Sequence, residues 1–169
     1  NGRYGCGYVY DSSMTSDEDA AEEIRNLLGQ DFKSPKTFNF SPGCFEKSWV
    51  NNCVSIGLSS NFIEPLEATS IWVQILALRL FVEVFGSDNG REKFNSDIKS
   101  INEDILSFLY LHYMTERSDS DFWSEFQINN KIPQKLVHRL EGTMDRYYFN
   151  IFNEDSWNAI FKGVRQDPK

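Results

Sequence analysis

Two long runs of apolar residues at helical spacing constrain the fold of this 169-residue chain more than any other feature. Members of the first run recur at intervals of four and three: Ile71, Ile75, Leu78, Val82 and Phe85. The second run has the same spacing: Phe94, Ile98, Ile101, Ile105, Phe108 and His112. Because residues three and four apart share one face of a helix, each run predicts an apolar-striped α-helix. Gly86 is a stop signal for the first helix.

Shorter patterns surround these two helices. Thr15-Ser16-Asp17-Glu18 resembles a capping box and predicts a helix ending near Leu28-Gly29. Further short helices are predicted over 121–126, 134–140 and 156–161, and strands over 4–10, 38–40 and 50–58, the last one buried and ending at Gly57. The chain is therefore expected to be an α+β protein, mainly α-helical with a few short strands.

Composition excludes several classes of function. With 40% hydrophobic and 25% charged residues the chain can bury a core, and a net charge of −8 argues against binding to a phosphate backbone. No apolar run approaches the ~20 residues that span a bilayer. Three cysteines without a C-x-x-C pair favour a reduced, cytoplasmic protein. His112 and His138 have no partners at zinc spacing, so no metal site is expected.

The stretch from Ser48 to Ile71 carries the clearest chemical pattern. Gly57, Ser59 and Ser60 are small, which would let the backbone approach a large flat or phosphorylated ligand. Glu-Pro-Leu-Glu follows this loop and leads into the first apolar helix. An alternative interpretation is that Gly57 merely ends a strand.

The start of that helix is a candidate anion site. The backbone amides of Ala68, Thr69 and Ser70 would point out of the first turn, where the helix dipole favours negative charge. Glu67 is adjacent in sequence, so a carboxylate and an anion would be neighbours. Alternatively, Glu67 simply caps the helix.

Residues 49–71, W-V-N-N-C-V-S-I-G-L-S-S-N-F-I-E-P-L-E-A-T-S-I, closely resemble the motif of flavin-dependent halogenases, the tryptophan halogenase family. Three further segments match in order. They are G-C-G-Y-V-Y at 5–10 with the acidic helix after it, L-H-Y at 111–113 with Arg117, Asp119, Phe122 and Trp123, and Phe152 with Ser156, Trp157 and Gly163. The resemblance covers essentially the whole chain.

The resemblance implies that reduced FAD, oxygen and halide form hypohalous acid, which passes through a tunnel to an aromatic, indole- or phenol-like substrate. A separate flavin reductase would supply the reduced FAD. Glu67 would be the catalytic glutamate, and the amides of Thr69 and Ser70 would bind chloride or bromide. Residues implied to contact FAD are Gly57, Leu58, Ser59, Pro65, Ala68 and Ile71. Tyr147, Tyr148 and Glu154 would lie on the substrate side. Tryptophan is not assigned as the substrate, because the Phe-Trp pair of tryptophan-specific enzymes is absent.

Several family motifs are missing from the sequence: the G-x-G-x-x-G fingerprint, the catalytic lysine and G-W-x-W-x-I-P. The chain is therefore expected to be a C-terminal part of a halogenase, inactive alone, with residues 1–60 joining the FAD domain and 61–169 forming a helical substrate-side region. Alternatives are a flavin monooxygenase that uses no halide and a non-catalytic helical interaction domain. Apolar surfaces exposed by the missing half would favour self-association, including a homodimer.

Other conspicuous residues are expected to be structural. His112 is interpreted as a histidine at the edge of the core, Glu64 as part of a turn, and Arg117 with Asp119 as an ion pair. Packing roles are expected for the tryptophans Trp49, Trp123 and Trp157. The cysteines Cys6, Cys44 and Cys53 are expected to behave as small apolar residues.

Overall fold

The computed structural model describes residues 5–31, 36–64, 69–129, 131–143 and 151–164. Helices dominate it, which confirms the predicted mainly α-helical α+β class. The helices are α1 (Asp17–Leu28), α2 (Thr69–Val84), α3 (Gly90–Tyr113), α4 (Asp121–Asn129), α5 (Gln134–Leu140) and α6 (Glu154–Val164). The strands are β1 (Gly43–Cys44), β2 (Trp49–Val50), β3 (Cys53–Val54) and β4 (Asn61–Phe62), and a 3₁₀ turn spans Gly57–Ser59.

The centre of the molecule is the antiparallel pair α2 and α3. Nine buried residues form its core: Val73, Ala77, Leu80 and Val84 of α2, with Phe94, Ile98, Ile101, Ile105 and Leu109 of α3. The turn between the helices is tight, because a Cβ at Gly90 would collide with the carbonyl oxygen of Val84. This turn brings the two apolar faces together directly.

The predicted stripe of α2 lies on the opposite face of that helix. Six large apolar side chains along it are exposed: Ile71, Trp72, Ile75, Leu78, Val82 and Phe85. Val82, for instance, is 75% exposed, whereas Leu80 two residues earlier is 1% exposed. The helix is thus apolar on both faces, which is typical of a helix enclosed on both sides.

The predicted stripe of α3 is confirmed as buried along most of its length. Its C-terminal half packs against α5 and α6 in a second cluster made of Phe108, Leu111, Leu136 and Trp157. The ring of Phe108 stacks on Phe152 at 3.7 Å between centroids. His112 donates from Nδ1 to the carbonyl oxygen of Phe108 at 2.9 Å, which confirms that it is a satisfied histidine at the core edge.

A buried polar group joins α3 to α5. Asp104 is 5% exposed, and burial raises the pKa of its carboxyl while the charges of Lys135 and Arg139 act against that increase. Lys135 donates from Nζ to the carbonyl oxygen of Ser100 at 2.6 Å. Buried ionisable groups are costly unless they are paired, so this group fixes how α5 sits on α3.

The first helix follows the predicted signals closely. Ser16 is the N-cap of α1, and its hydroxyl accepts the backbone N–H of Asp19 at 3.1 Å, one residue later than the predicted box. Gly29 ends the helix with φ of 60°, a left-handed conformation that favours glycine.

The strand predictions are wrong in detail. Residues 5–10 and 38–40 form no strand, because no neighbouring strand pairs with them in the part of the chain that the structure describes. Residues 50–58 are not one buried strand: β2 and β3 form a hairpin with Asn51 at its turn, and Gly57 begins the 3₁₀ turn. The second small sheet pairs β1 with β4.

The prediction that the three cysteines behave as small apolar residues is also wrong. Cys6, Cys44 and Cys53 are all exposed free thiols. Cys44 and Cys53 lie in two-residue strands that present these side chains to solvent, and Cys6 lies in a segment without regular structure. Among the described helices, none combines the length and apolar composition needed to cross a membrane.

Candidate functional site

The β2–β3 hairpin is fastened to the start of α3 by one side chain. Asn95 donates from Nδ2 to the carbonyl oxygen of Trp49 at 2.9 Å, and its Oδ1 accepts the Trp49 amide at 2.8 Å. The Trp49 ring packs edge-on against Phe81 and Phe94 at 5.0 and 5.9 Å. These contacts hold the hairpin in a fixed position beside α2 and α3. They also confirm the predicted packing role of Trp49.

The 3₁₀ turn that follows the hairpin lies against α2. Gly57 is buried with φ of +67°, and a Cβ there would come within 3.2 Å of Gln74 Oε1. Both the backbone conformation and the close approach of α2 favour glycine at this position. The structure thus brings the predicted loop of small residues up to the helix that carries the predicted anion site.

The other residues of this turn are open to a ligand in different ways. Leu58 is 69% exposed. Ser59 is exposed, but its hydroxyl donates to the Ile56 carbonyl oxygen at 2.9 Å and accepts the Ile56 amide at 3.2 Å. Ser60 is buried, and its Oγ lies 2.7 Å from Ser48 Oγ. Ser59 therefore offers its backbone more readily than its side chain.

Helix α2 begins at Thr69, so the amides of Thr69 and Ser70 belong to its first turn. Amides of the first turn have no partner within their own helix, and the helix dipole adds partial positive charge there. Both residues are half-buried, which reduces competition from water. Pro65, Glu67 and Ala68 lie outside the described residues, so their assignments stay predictions.

Glu64 and Tyr113 meet just before the Glu67 segment. The Tyr113 hydroxyl donates to Glu64 Oε1 at 3.3 Å, across 49 residues of sequence. Burial, followed by the charge and hydrogen bond of Glu64, raises the pKa of Tyr113 to about 12. Glu64 is therefore tied to α3, a contact for which sequence reasoning did not single out Tyr113, while the turn predicted at Glu64-Pro65 runs outside the described residues.

The predicted substrate-side residues are only partly visible. Tyr147 and Tyr148 lie outside the described residues. Glu154 begins α6, and its Oε1 accepts from Arg139 Nη1 at 2.8 Å. The Arg139 guanidinium also lies 4.1 Å from the centroid of the Trp157 ring. Arg139, which sequence reasoning missed, therefore already pairs with one oxygen of the Glu154 carboxylate.

The described ranges contain no group of three His, Cys, Asp or Glu side chains placed to hold a metal ion. What the described residues do offer is a small-residue turn, the N-terminal end of a helix and, five residues before Thr69 in sequence, the carboxylate of Glu64. These elements suit an anion and a flat ligand in contact with backbone.

Comparisons with known proteins agree with this arrangement. The family model described as tryptophan halogenase matches residues 1–169. The tryptophan 7-halogenase RebH of Lentzea aerocolonigenes is 35% identical over 193 aligned positions, covering 99% of this chain and 36% of RebH. The tryptophan 7-halogenase KtzQ of Kutzneria sp. (strain 744) is 38% identical over 130 residues, covering 72% of this chain and 24% of KtzQ.

A solved structure is similar as well. BrvH, a flavin-dependent halogenase from Brevundimonas sp. BAL3, superposes with a TM-score of 0.80 at 32% identity, covering 92% of this chain and 34% of BrvH. The chain thus spans about a quarter to a third of the length of these relatives. With the family model matched from end to end, and the fold shared with a solved halogenase, the chain belongs to the tryptophan halogenase family.

Proposed function

We propose that this chain forms the halide- and substrate-side part of a flavin-dependent halogenase acting on an aromatic, indole- or phenol-like substrate. One observation carries the proposal: the turn Gly57–Ser59 packs against α2, whose first residues are Thr69 and Ser70. Glu67 lies between these two elements in sequence. A flat cofactor, an anion and a carboxylate would therefore meet within a small volume.

The residues present fit part of an FAD site. Leu58 and Ile71 are 69% and 63% exposed, whereas Gly57 is buried against Gln74 and would contribute only through its backbone. Together with Ser59, Pro65 and Ala68 they would contact the flavin side of FAD. Bound reduced FAD supplies the reaction with oxygen that oxidises halide to hypohalous acid. A separate flavin reductase would provide the reduced cofactor.

The amides of Thr69 and Ser70 would hold chloride or bromide. As the first described residues of α2 they lie at its N-terminal end, where backbone N–H groups commonly lack partners within the helix and the helix dipole favours an anion. Neither interaction requires a particular side chain at these two positions. The helix start would therefore favour negative charge.

Glu67 would orient the halogenating species and stabilise positive charge that develops on the aromatic ring. A fixed carboxylate is most effective in a site from which water is excluded. On the substrate side, Tyr147, Tyr148 and Glu154 would contact the aromatic substrate. The ion pair with Arg139 limits how far Glu154 can move toward it.

The exposed face of α2 supports a role within a larger enzyme. A contiguous apolar strip of this kind is an interaction surface in a folded protein. We place the flavin-binding part of the enzyme against it, with residues 1–60 leading into that part and 61–169 forming the substrate side. The same strip could form a homodimer when the chain stands alone.

The proposal is tested by identifying the product of the assembled enzyme. This is the protein in which the chain is joined to the flavin-binding part of a halogenase. The assay contains reduced FAD, oxygen and an indole, with or without bromide, and product mass is measured. We expect a monobrominated product that depends on bromide. A hydroxylated product formed equally well without bromide would instead establish a flavin monooxygenase, and tight flavin binding without any product would contradict both activities.

A further inference from the structure

The sequence motif that begins at Leu111-His112-Tyr113 has no role in the proposed chemistry, yet its Tyr113 contacts Glu64, three residues before Glu67. We propose that Tyr113 is a positioning residue. It and the loop after α3 form a clamp that holds Glu64, and so fixes where the Glu67 segment begins. The clamp's importance for catalysis rests on the proposed role of Glu67.

The first step is the contact itself. Tyr113 is the last residue of α3, and its hydroxyl reaches Glu64 Oε1 at 3.3 Å, longer than the roughly 2.7–2.8 Å most common for an O–H···O bond and therefore a weak one. Both side chains are half-buried, which limits competition from water. A tyrosine hydroxyl is protonated at neutral pH, and because burial and Glu64 raise the pKa of Tyr113 to about 12, this hydroxyl stays a donor in alkaline buffer as well.

The second step is what holds the Tyr113 ring. Its centroid lies 5.8 Å from Trp123 and 5.3 Å from Phe126, both on α4. Phe122 adds an edge-to-face contact at 6.2 Å. These three contacts, all from α4, restrict the ring, so α4 helps to set the direction of the hydroxyl.

The third step is the loop that places α4. Arg117 makes two hydrogen bonds to Asp119, at 2.7 and 3.0 Å, and its guanidinium lies 4.8 Å from the Trp123 centroid. Gln127 donates from Nε2 to the carbonyl oxygens of Thr115 and Arg117 at 2.8 and 2.7 Å. An exposed ion pair adds little to global stability; together with the Gln127 hydrogen bonds, these contacts tie the loop after α3 to α4.

A second tie fixes the same stretch of chain. Asn61 of β4 donates from Nδ2 to Asn102 Oδ1 of α3 at 2.6 Å, and both residues are buried. The chain is therefore attached to α3 at Asn61 and again at Glu64. Glu67 is three residues beyond, a reach of at most about 11 Å. Holding Glu64 in place therefore limits the positions that are open to Glu67.

The clamp can be tested on the 169-residue chain without flavin or substrate. Tyr113→Phe removes the hydroxyl but keeps the ring, and Glu64→Gln keeps an acceptor oxygen but removes the charge. Amide hydrogen exchange is measured by mass spectrometry in peptides covering residues 61–72. We expect each variant to speed exchange there about fivefold or more, with the double variant no faster than the single ones.

Tyr10→Phe is the matched control, because the Tyr10 hydroxyl also donates to a carboxylate, Asp17 Oδ1 at 2.6 Å, but at α1. It should leave exchange in 61–72 unchanged. Unchanged exchange in Tyr113→Phe, a uniform increase along α2 and α3, or additive effects in the double variant would each overturn the proposal.

In the assembled halogenase, Tyr113→Phe should lower kcat for halogenation about fivefold, with the KM for the aromatic substrate and the rate of flavin reoxidation unchanged. A rise in KM with unchanged kcat would contradict a positioning role. If no variant halogenates while exchange responds as expected, the proposed function fails and the clamp stands, so the two failures are distinguishable.

Discussion

Glu67→Gln in the assembled enzyme should reduce halogenated product by about two to three orders of magnitude while reduced FAD continues to be reoxidised. The amide keeps the size of the side chain but lacks the charge that would stabilise a cationic ring. Oxidation of halide does not depend on that charge, so the two readouts should separate. Product is measured by mass spectrometry and flavin oxidation by absorbance.

Glu83→Gln is the matched control for this experiment. Glu83 is an exposed carboxylate near the opposite end of α2, so its removal changes the net charge equally without touching the helix start. We expect Glu83→Gln to form as much halogenated product as the unsubstituted enzyme. If Glu67→Gln also formed as much halogenated product as the unsubstituted enzyme, the catalytic role of Glu67 would be refuted.

The second large effect concerns stability. Leu80→Ala should lower the free energy of unfolding of the 169-residue chain by about 2–5 kcal/mol, because a buried leucine loses its contacts and leaves a cavity. Leu80 is 1% exposed and faces α3, whereas Leu78 on the same helix is 47% exposed. Leu78→Ala should therefore cost less than about 1 kcal/mol.

Urea unfolding followed by circular dichroism measures both variants under the same conditions. The comparison holds the residue type and the helix constant and changes only the face. Equal losses for the two variants, or a larger loss for Leu78→Ala, would mean that the predicted stripe is the packed face of α2 after all.

The two central helices show how far a hydrophobic pattern reaches. In α3 the apolar residues occupy one face, so the positions from Phe94 to Phe108 could be predicted as core from spacing alone. In α2 both faces are apolar, and spacing cannot say which one meets α3. Only the turn at Gly90 and the packing of Leu80 decide between them.

Short strands and distant contacts were the least predictable. Each strand is two residues long, too short for an alternating pattern. The sequence therefore predicts one strand ending at Gly57 where the structure has the hairpin β2–β3. The pairs Glu64–Tyr113 and Arg139–Glu154 join residues 49 and 15 positions apart. No local pattern announces such pairs, because tertiary packing creates them.

Two parts of the candidate site could be predicted because the local sequence alone indicates their structure. The small-residue turn and the helix start at Thr69 follow from the local sequence, and the structure brings Gly57 against α2 as this interpretation requires. The assignments of Glu67, Tyr147 and Tyr148 depend on family resemblance, since they lie outside the described residues. They are therefore decided by experiment.

The most direct test of halide binding at the start of α2 removes one backbone donor. Thr69→Pro suits the first position of a helix but lacks an N–H, while Thr69→Ala keeps the N–H and serves as the reference. The measurement is the bromide KM of both variants in the assembled enzyme. We predict a KM about tenfold to a hundredfold higher for Thr69→Pro than for Thr69→Ala; equal values would contradict a halide site on these amides.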